Sequence, residues 1–299
     1  RDAELSAMYP TLIRPRPRPS TIPKIELRRE QSSGEFLIQD VYEGLPQSMH
    51  GQARYLRVVE AHERHIHTSP CNIWVGMGGF ETKTVLGCVP IESDGSAYFR
   101  VPSGVTFFLQ ALDEEGMAVQ TMRSATYLQP GQTYSCIGCH EHRQTAPPNV
   151  VVTAARRRPS KITPGVEGSW PLDYQVLVQP VLEKHCVECH KAGGEYAEFD
   201  LTAASSYDSL LDYGTPSLRQ HVSARYREGR SVAGACASRM NALWKLLDDG
   251  HYEVDLTADD RRRLATWMDT YGQRLGSFGE DQEQRLRELR RRMASLLAN

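Results

Sequence analysis

Two five-residue strings carry the chemistry of this chain: Cys136-Ile-Gly-Cys139-His140 and Cys186-Val-Glu-Cys189-His190. Two thiols on one short turn can add to the two vinyl groups of a haem. The histidine that follows is then placed to reach the iron, so Cys-x-x-Cys-His reads as c-type haem attachment. With 7 Cys and 10 His in 299 residues, composition alone gives about 0.005 such strings per chain, which makes two of them a poor coincidence. Zinc knuckles and redox Cys-x-x-Cys turns are the competing readings, and neither chemistry requires a histidine directly after both second cysteines. The sequence therefore predicts two covalently bound haem c groups, held by Cys136, Cys139, Cys186 and Cys189, with His140 and His190 on the irons.

Each iron also needs a sixth ligand or an open position. For the second haem, His251 is the choice, because it follows Gly250 in a loop that could cover the distal face. Met240, Met268, His185 and His221 compete. The two methionines read as helical core, and His185 adjoins Cys186 too closely to span the ring. For the first haem, His62, His65 and His67 with Cys71 form a cluster that is either a distal ligand, a metal site or ordinary loop polarity. Met122 is a further candidate, and His142 lies too near His140. Cys71, Cys88 and Cys236 remain as an odd set, with one disulfide among them allowed.

The elements that must position these groups divide the chain. Residues 1–23 read as an extended Pro/Arg lead-in, since Arg14 to Pro19 alternates Arg with Pro and cannot be helical. Residues 24–145 read as a β-sandwich-like domain ending in the first string. Its strand signals are Phe36–Tyr42, Tyr55–Val59, Ile73–Met77, Thr84–Ile91, Ala97–Val101, Thr106–Leu112 and Ala118–Met122, with turn dipeptides such as Asp94-Gly95 between them. Residues 146–169 read as a surface linker with a solvated triplet, Arg156-Arg157-Arg158.

Residues 170–275 read as an α-helical cytochrome c-like domain. Val178–Lys184 leads into the second string with Pro180 in a first helical turn. Ser238–Asp249 puts Met240, Leu243, Trp244 and Leu247 on one face. Thr257-x-x-Asp260 resembles a capping box that opens a further helix. Residues 276–299 form an amphipathic helix with a stripe of Leu286, Leu289, Met293 and Leu296. The stripe docks either on its own body or on a partner chain, and Gly276 and Gly279 ahead of it read as a flexible exit that favours the partner. The fold class is thus α+β and multidomain.

The net charge of −2 points to neither nucleic acid nor an anionic membrane. No apolar run reaches about 18 residues, so no transmembrane helix is expected. Arg1 at the start fits a processed or truncated chain. Covalent haem attachment implies export, to the periplasm or beyond.

The stretch from Val85 to His140, with Val-Leu-Gly-Cys-Val-Pro-Ile-Glu-Ser-Asp-Gly-Ser-Ala-Tyr-Phe-Arg-Val-Pro, Phe-Leu-Gln-Ala-Leu-Asp and Gln120-Thr-Met-Arg-Ser, resembles the middle domain of the hydrazine synthase alpha-subunit family. The C-terminal part is similar too, through Gln179-Pro-Val-Leu-Glu-Lys-His before the second string and Leu246-Leu-Asp-Asp-Gly-His-Tyr-Glu-Val-Asp-Leu. The resemblance covers roughly residues 36–275. It implies a β domain with one haem c, then an α-helical domain with another, and supports His251 as a ligand. No member of the family's upstream β-propeller is expected within these residues. In the family the active haem takes a tyrosine four residues after the string's histidine, and that histidine turns to zinc; the corresponding position here is Gln144. The leading expectation is an exported dihaem cytochrome that transfers electrons to redox partner proteins or other haem subunits. A haem-dependent enzyme of the hydrazine synthase type, with the first haem as its site, and a structural haem-wire subunit are the alternatives.

Overall fold

The computed structural model describes residues 15, 30–62, 82–139, 144, 146 and 148–298. Ile73–Met77, His65, His67, Cys71, His140 and His142 lie outside these residues, as does the lead-in apart from Pro15.

Seven strands among the described residues form two sheets. β1 (Ser33–Ile38) sits between β4 (Ala97–Pro102) and β7 (Thr133–Cys136) in one; β3 (Thr82–Pro90), β2 (Tyr55–His62), β5 (Phe107–Leu112) and β6 (Ala118–Thr121) follow in that order in the other. Phe36 and Phe99 from the first sheet share a core with Leu56, Val58 and Phe107 from the second, all at most 1 % exposed. That is the sandwich expected from alternating apolar positions. β7 was not expected. It pairs in parallel with β1, Glu35 opposite Thr133 through Ile38 opposite Cys136, so the first string begins on a strand.

The helical unit contains α1 (Tyr174–Leu177), α2 (Gln179–His185), α3 (Ser206–Asp212), α4 (Leu218–Glu228), α5 (Ala237–Met240), α6 (Ala242–Asp248) and α7 (Ala258–Asp269). Together with the two sheets this is an α+β multidomain arrangement. Thr257 caps α7 in a reciprocal capping box with Asp260, as its spacing predicts. The helix expected over 238–249 is instead two, because Asn241 adopts an extended backbone and its side chain accepts from Leu243 N to start α6. One consequence corrects an expectation: Met240, at the end of α5, is 44 % exposed rather than core.

The two units dock through buried polar groups. Arg57 donates to Gln110 Oε1, Gly116 O and Thr266 Oγ1, each at 3.0 Å. The Asp269 carboxylate at the end of α7 accepts from Ala118 N and from Ser238 N and Oγ at 2.8–2.9 Å. Cys88 and Cys236 are both free thiols.

The described residues of 146–169 lie largely on the surface, as expected, but are tied to the sandwich at several points and are not a free linker. Ile162 and Ala154 are fully buried, and Thr163 exchanges two backbone hydrogen bonds of 2.8 Å with Cys88. The cause is the open edge of β3: its unpaired amides and carbonyls need partners, and this segment supplies them. Within the Arg triplet, Arg157 reaches Glu92 at 2.6 Å.

The last helix, α8 (Glu280–Arg292), is also corrected. Leu286, Leu289, Met293 and Leu296 are each at most 6 % exposed, and the last three pack into the sandwich core. Gln282 donates to Thr82 Oγ1 at 2.8 Å, Trp170 Nε1 to Leu286 O at 3.3 Å, and the Arg290 guanidinium lies over the Trp170 ring. The stripe is consumed by its own body, so it is an internal brace and is not open to a partner. Gly276 is no free hinge either, since a side chain there would meet Pro171 at 3.0 Å. Among the described residues no helix is long and apolar enough to cross a membrane.

Candidate haem sites

The second string starts where α2 ends. Cys186 N and Val187 N both bond to Leu182 O, at 2.8 and 2.9 Å, and His190 N bonds to Cys186 O at 3.1 Å. This coiled turn sets both thiols and the imidazole on one short arc. It opens into an apolar cavity of ≈ 290 Å³ whose wall includes Leu182, Leu201, Leu210, Leu247 and Leu264. Burial, then the neighbouring Cys189, pushes the Cys186 thiol up to about 11, so it stays protonated at neutral pH.

His190 is oriented by its backbone surroundings. Its Nδ1 lies 3.1 Å from Phe199 O. A carbonyl only accepts, so Nδ1 carries the proton and Nε2 keeps its lone pair, the arrangement in which a histidine serves as a metal ligand. Across the cavity stands His251, its ring centre 6.1 Å from that of His190 and its plane turned by 24°. Both rings line the cavity, so His190 and His251 would together hold a metal ion placed between them. Gly250 makes the approach: its φ of +91° ends α6 in a left-handed turn that an L side chain would strain.

The competitors fall elsewhere. His185 touches the cavity but its Nε2 is held 3.0 Å from Asp260 Oδ2. Burial opposes ionisation of Asp260, yet hydrogen bonds from Thr257, His185 and Lys184 outweigh it and hold the carboxyl well below its usual range. His221 is buried on α4 beside Arg225 in a separate small cavity. Met268 is 1 % exposed in the helical core. Among the described residues no group of three or more His, Cys, Asp or Glu is placed to hold a metal ion directly. The residues fit a haem: a thiol pair, two facing imidazoles and an apolar slot between them. Cys186 and Cys189 would carry the thioethers, and His190 and His251 the iron.

Sequence reasoning passed over three aromatic neighbours. Tyr196 and Phe199 lie with ring centres 5.7 Å from His190, and Tyr252 joins them from the other side. Only the nearness of Tyr252 to His251 could have flagged them.

The first string is built differently. Cys136 closes β7, and Gln39 N and Asp40 N bond to Cys136 O and Ile137 O at 3.0 and 2.9 Å. Gly138 lies so close to the 40–43 turn that a side chain would meet Glu43 Cβ at 2.5 Å. The Cys136 and Cys139 side chains pack against the sandwich core. The thiol pair is thus fixed by strand pairing, while His140 is outside the described residues. His62 is at the end of β2, its Nε2 2.8 Å from Thr84 Oγ1 and its Nδ1 3.3 Å from Glu60 Oε1. Burial pushes the Glu60 carboxyl up to about 8, against the pull of Arg292.

The fold and the sites together define a β-sandwich braced to a compact helical unit, each with a Cys-x-x-Cys-His turn. Residues 51–141 match the family model described as hydrazine synthase alpha subunit middle domain. Hydrazine synthase subunit alpha of Kuenenia stuttgartiensis is 39 % identical over 61 residues, which is 20 % of this chain and 8 % of that protein. A solved structure of Kuenenia stuttgartiensis hydrazine synthase superposes with a TM-score of 0.61 at 17 % identity, over 84 % of this chain and 44 % of that one. The chain therefore spans less than half the length of these relatives, and the structural likeness is one of fold.

Proposed function

We propose that this chain is an exported dihaem c-type cytochrome that carries electrons within a larger, hydrazine synthase-like assembly. The observation that carries this reading is the pair His190 and His251, facing each other 6.1 Å apart across an apolar cavity at a Cys-x-x-Cys-His turn. A haem bound there supplies a one-electron iron couple, and two imidazoles set its potential lower than an imidazole with a thioether would. The chain's own residues do the rest. Phe199 O fixes the His190 tautomer, and the leucine wall gives the haem an apolar surface to pack on. Redox partner proteins or other haem subunits are the electron donors and acceptors, in the periplasm or outside the cell. The test is to express the chain with a haem-attachment system in an exporting host. Intact mass should equal polypeptide plus two haems, with two one-electron waves in a potentiometric titration. A mass of bare polypeptide would sink the reading.

One observation favours a second reading. The family match over residues 51–141 takes in the first string, which suits an enzyme of the hydrazine synthase type with the first haem as its site. Gln144 opposes it, because an amide is a poor iron ligand and cannot supply an anionic oxygen. The purified holoprotein should exchange electrons with redox dyes and form no hydrazine from ammonium and a nitrogen oxide. Sustained product formation would move the assignment to this reading.

A further inference from the structure

We infer that Tyr196 and Tyr252 form a latch that holds His251 over the second haem cavity, so that the sixth iron position opens to a small diatomic ligand when the latch is broken. This rests on the proposed His190 and His251 ligand pair. The two phenols hydrogen-bond to each other, with ring centres 5.7 Å apart. Both side chains line the cavity.

The latch joins the two ligand-bearing segments directly. Tyr196 belongs to the His190 side: its amide bonds to Cys189 O at 3.0 Å, and its ring centre is 5.7 Å from that of His190. Tyr252 follows His251 in the chain, and their ring centres are 5.1 Å apart. Beyond the latch, the His251 segment is tied by a turn in which Val254 N bonds to His251 O at 3.1 Å, and by Val254 and Leu256 packing on the helical core. Nothing lies within 4 Å of the place a Gly250 side chain would take, and Tyr252 is 69 % exposed. Yet Tyr252 keeps a left-handed backbone, φ +50°, a region that a non-glycine residue avoids unless its surroundings hold it there. The turn closed by Val254 N on His251 O and the phenol contact with Tyr196 hold it there together. Tyr252 and Tyr196 are therefore positioning residues: they touch the ligand histidines and act through His251.

The experiment uses the reduced, full-length holoprotein and carbon monoxide as the probe. The component that matches the carbon monoxide complex of His251→Ala is assigned to the second haem. Tyr252→Phe and Tyr196→Phe keep the rings and remove the bond. Each should tighten carbon monoxide binding at that haem roughly 3- to 10-fold, the weight of one net hydrogen bond. The double variant should go no further than either single one, since both remove the same contact. Tyr226→Phe, at an equally exposed tyrosine away from the cavity, should leave the affinity unchanged. Wild-type affinity in both latch variants, or additive effects in the double one, overturns the latch while leaving the ligand pair standing. A wild-type second haem that is already five-coordinate overturns the ligand pair and the latch together.

Discussion

The two Cys-x-x-Cys-His turns share a sequence pattern and differ in what surrounds them. The first is the continuation of a strand. β1 and the 40–43 turn hold its backbone, and its thiols rest against a core already filled by Phe36, Phe99 and Phe107. The second is the frayed end of a helix over an apolar cavity of ≈ 290 Å³. The sandwich packs a core of Phe36, Phe99 and Phe107 under its turn, whereas the helical unit has a core around Tyr174 and Trp267 and, beside it, an open apolar cavity at its turn. The lesson is that one attachment motif can sit on two supports: under the proposed reading, one haem would lie against a strand-held turn and the other would fill a cavity beside a helical core.

The comparison breaks most readily by removing attachment. Cys186→Ala with Cys189→Ala should lose one haem mass and lower the melting temperature of the helical unit, while Cys136→Ala with Cys139→Ala should lose one haem mass and leave the melting of the sandwich unchanged. Intact mass and far-UV circular dichroism on heating check both; an equal fall in melting temperature in the two pairs would end the distinction. Next in size is the brace. Leu289→Ala should destabilise the sandwich by about 2–5 kcal/mol in denaturant unfolding, the range for a buried leucine, with no change in assembly size by light scattering. A change of assembly size at unaltered stability would return α8 to a partner-binding role.

A third test concerns Glu60. Its folded carboxyl titrates at about 8, above the ordinary 4.5. Folding therefore takes up a proton between those values, so its contribution is full below pH 4.5, shrinks as pH rises, and levels off above about 8. Glu60→Gln should flatten that slope and stabilise the protein at pH 8, by about 2–4 kcal/mol. Wild-type and variant stability curves that run parallel from pH 5 to 8 would show that Glu60 is ionised in the fold. The smallest effect is expected at Asp260, whose carboxyl caps α7 and holds His185. Its lowered pKa means that its stabilisation is present at neutral pH and lost on acidification. Asp260→Asn should cost about 1 kcal/mol at pH 7, read by thermal unfolding, and the cost should vanish at low pH.

Much of this was legible in the sequence because it rests on local rules. The two strings, the α7 capping box from Thr257 and Asp260, and six strands of alternating apolar residues follow from spacing alone. Tyr134 and Cys136 gave no such signal, since β7 exists through its pairing with β1. The 146–169 segment hid its ties to the sandwich for a similar reason. Its Pro, Ser, Thr and Arg content describes side chains, whereas its job at the β3 edge is done by the backbone of Thr163 and Ser169. The α8 stripe was visible, but periodicity shows that a face must be buried without showing what buries it. His251 was reachable from its place after Gly250; the phenols beside it were not, because contacts between Tyr196 and Tyr252 depend on how two distant loops converge.

The most direct test of the central claim is the low-temperature electron paramagnetic resonance spectrum of the oxidised holoprotein beside that of His251→Ala. A ligand pair of His190 and His251 predicts a low-spin signal for the second haem in the wild type, replaced in the variant by a high-spin signal while the other haem's signal stays as it was. An identical spectrum in the two proteins would contradict the pair and with it the account of the helical cavity as a haem site closed from both sides.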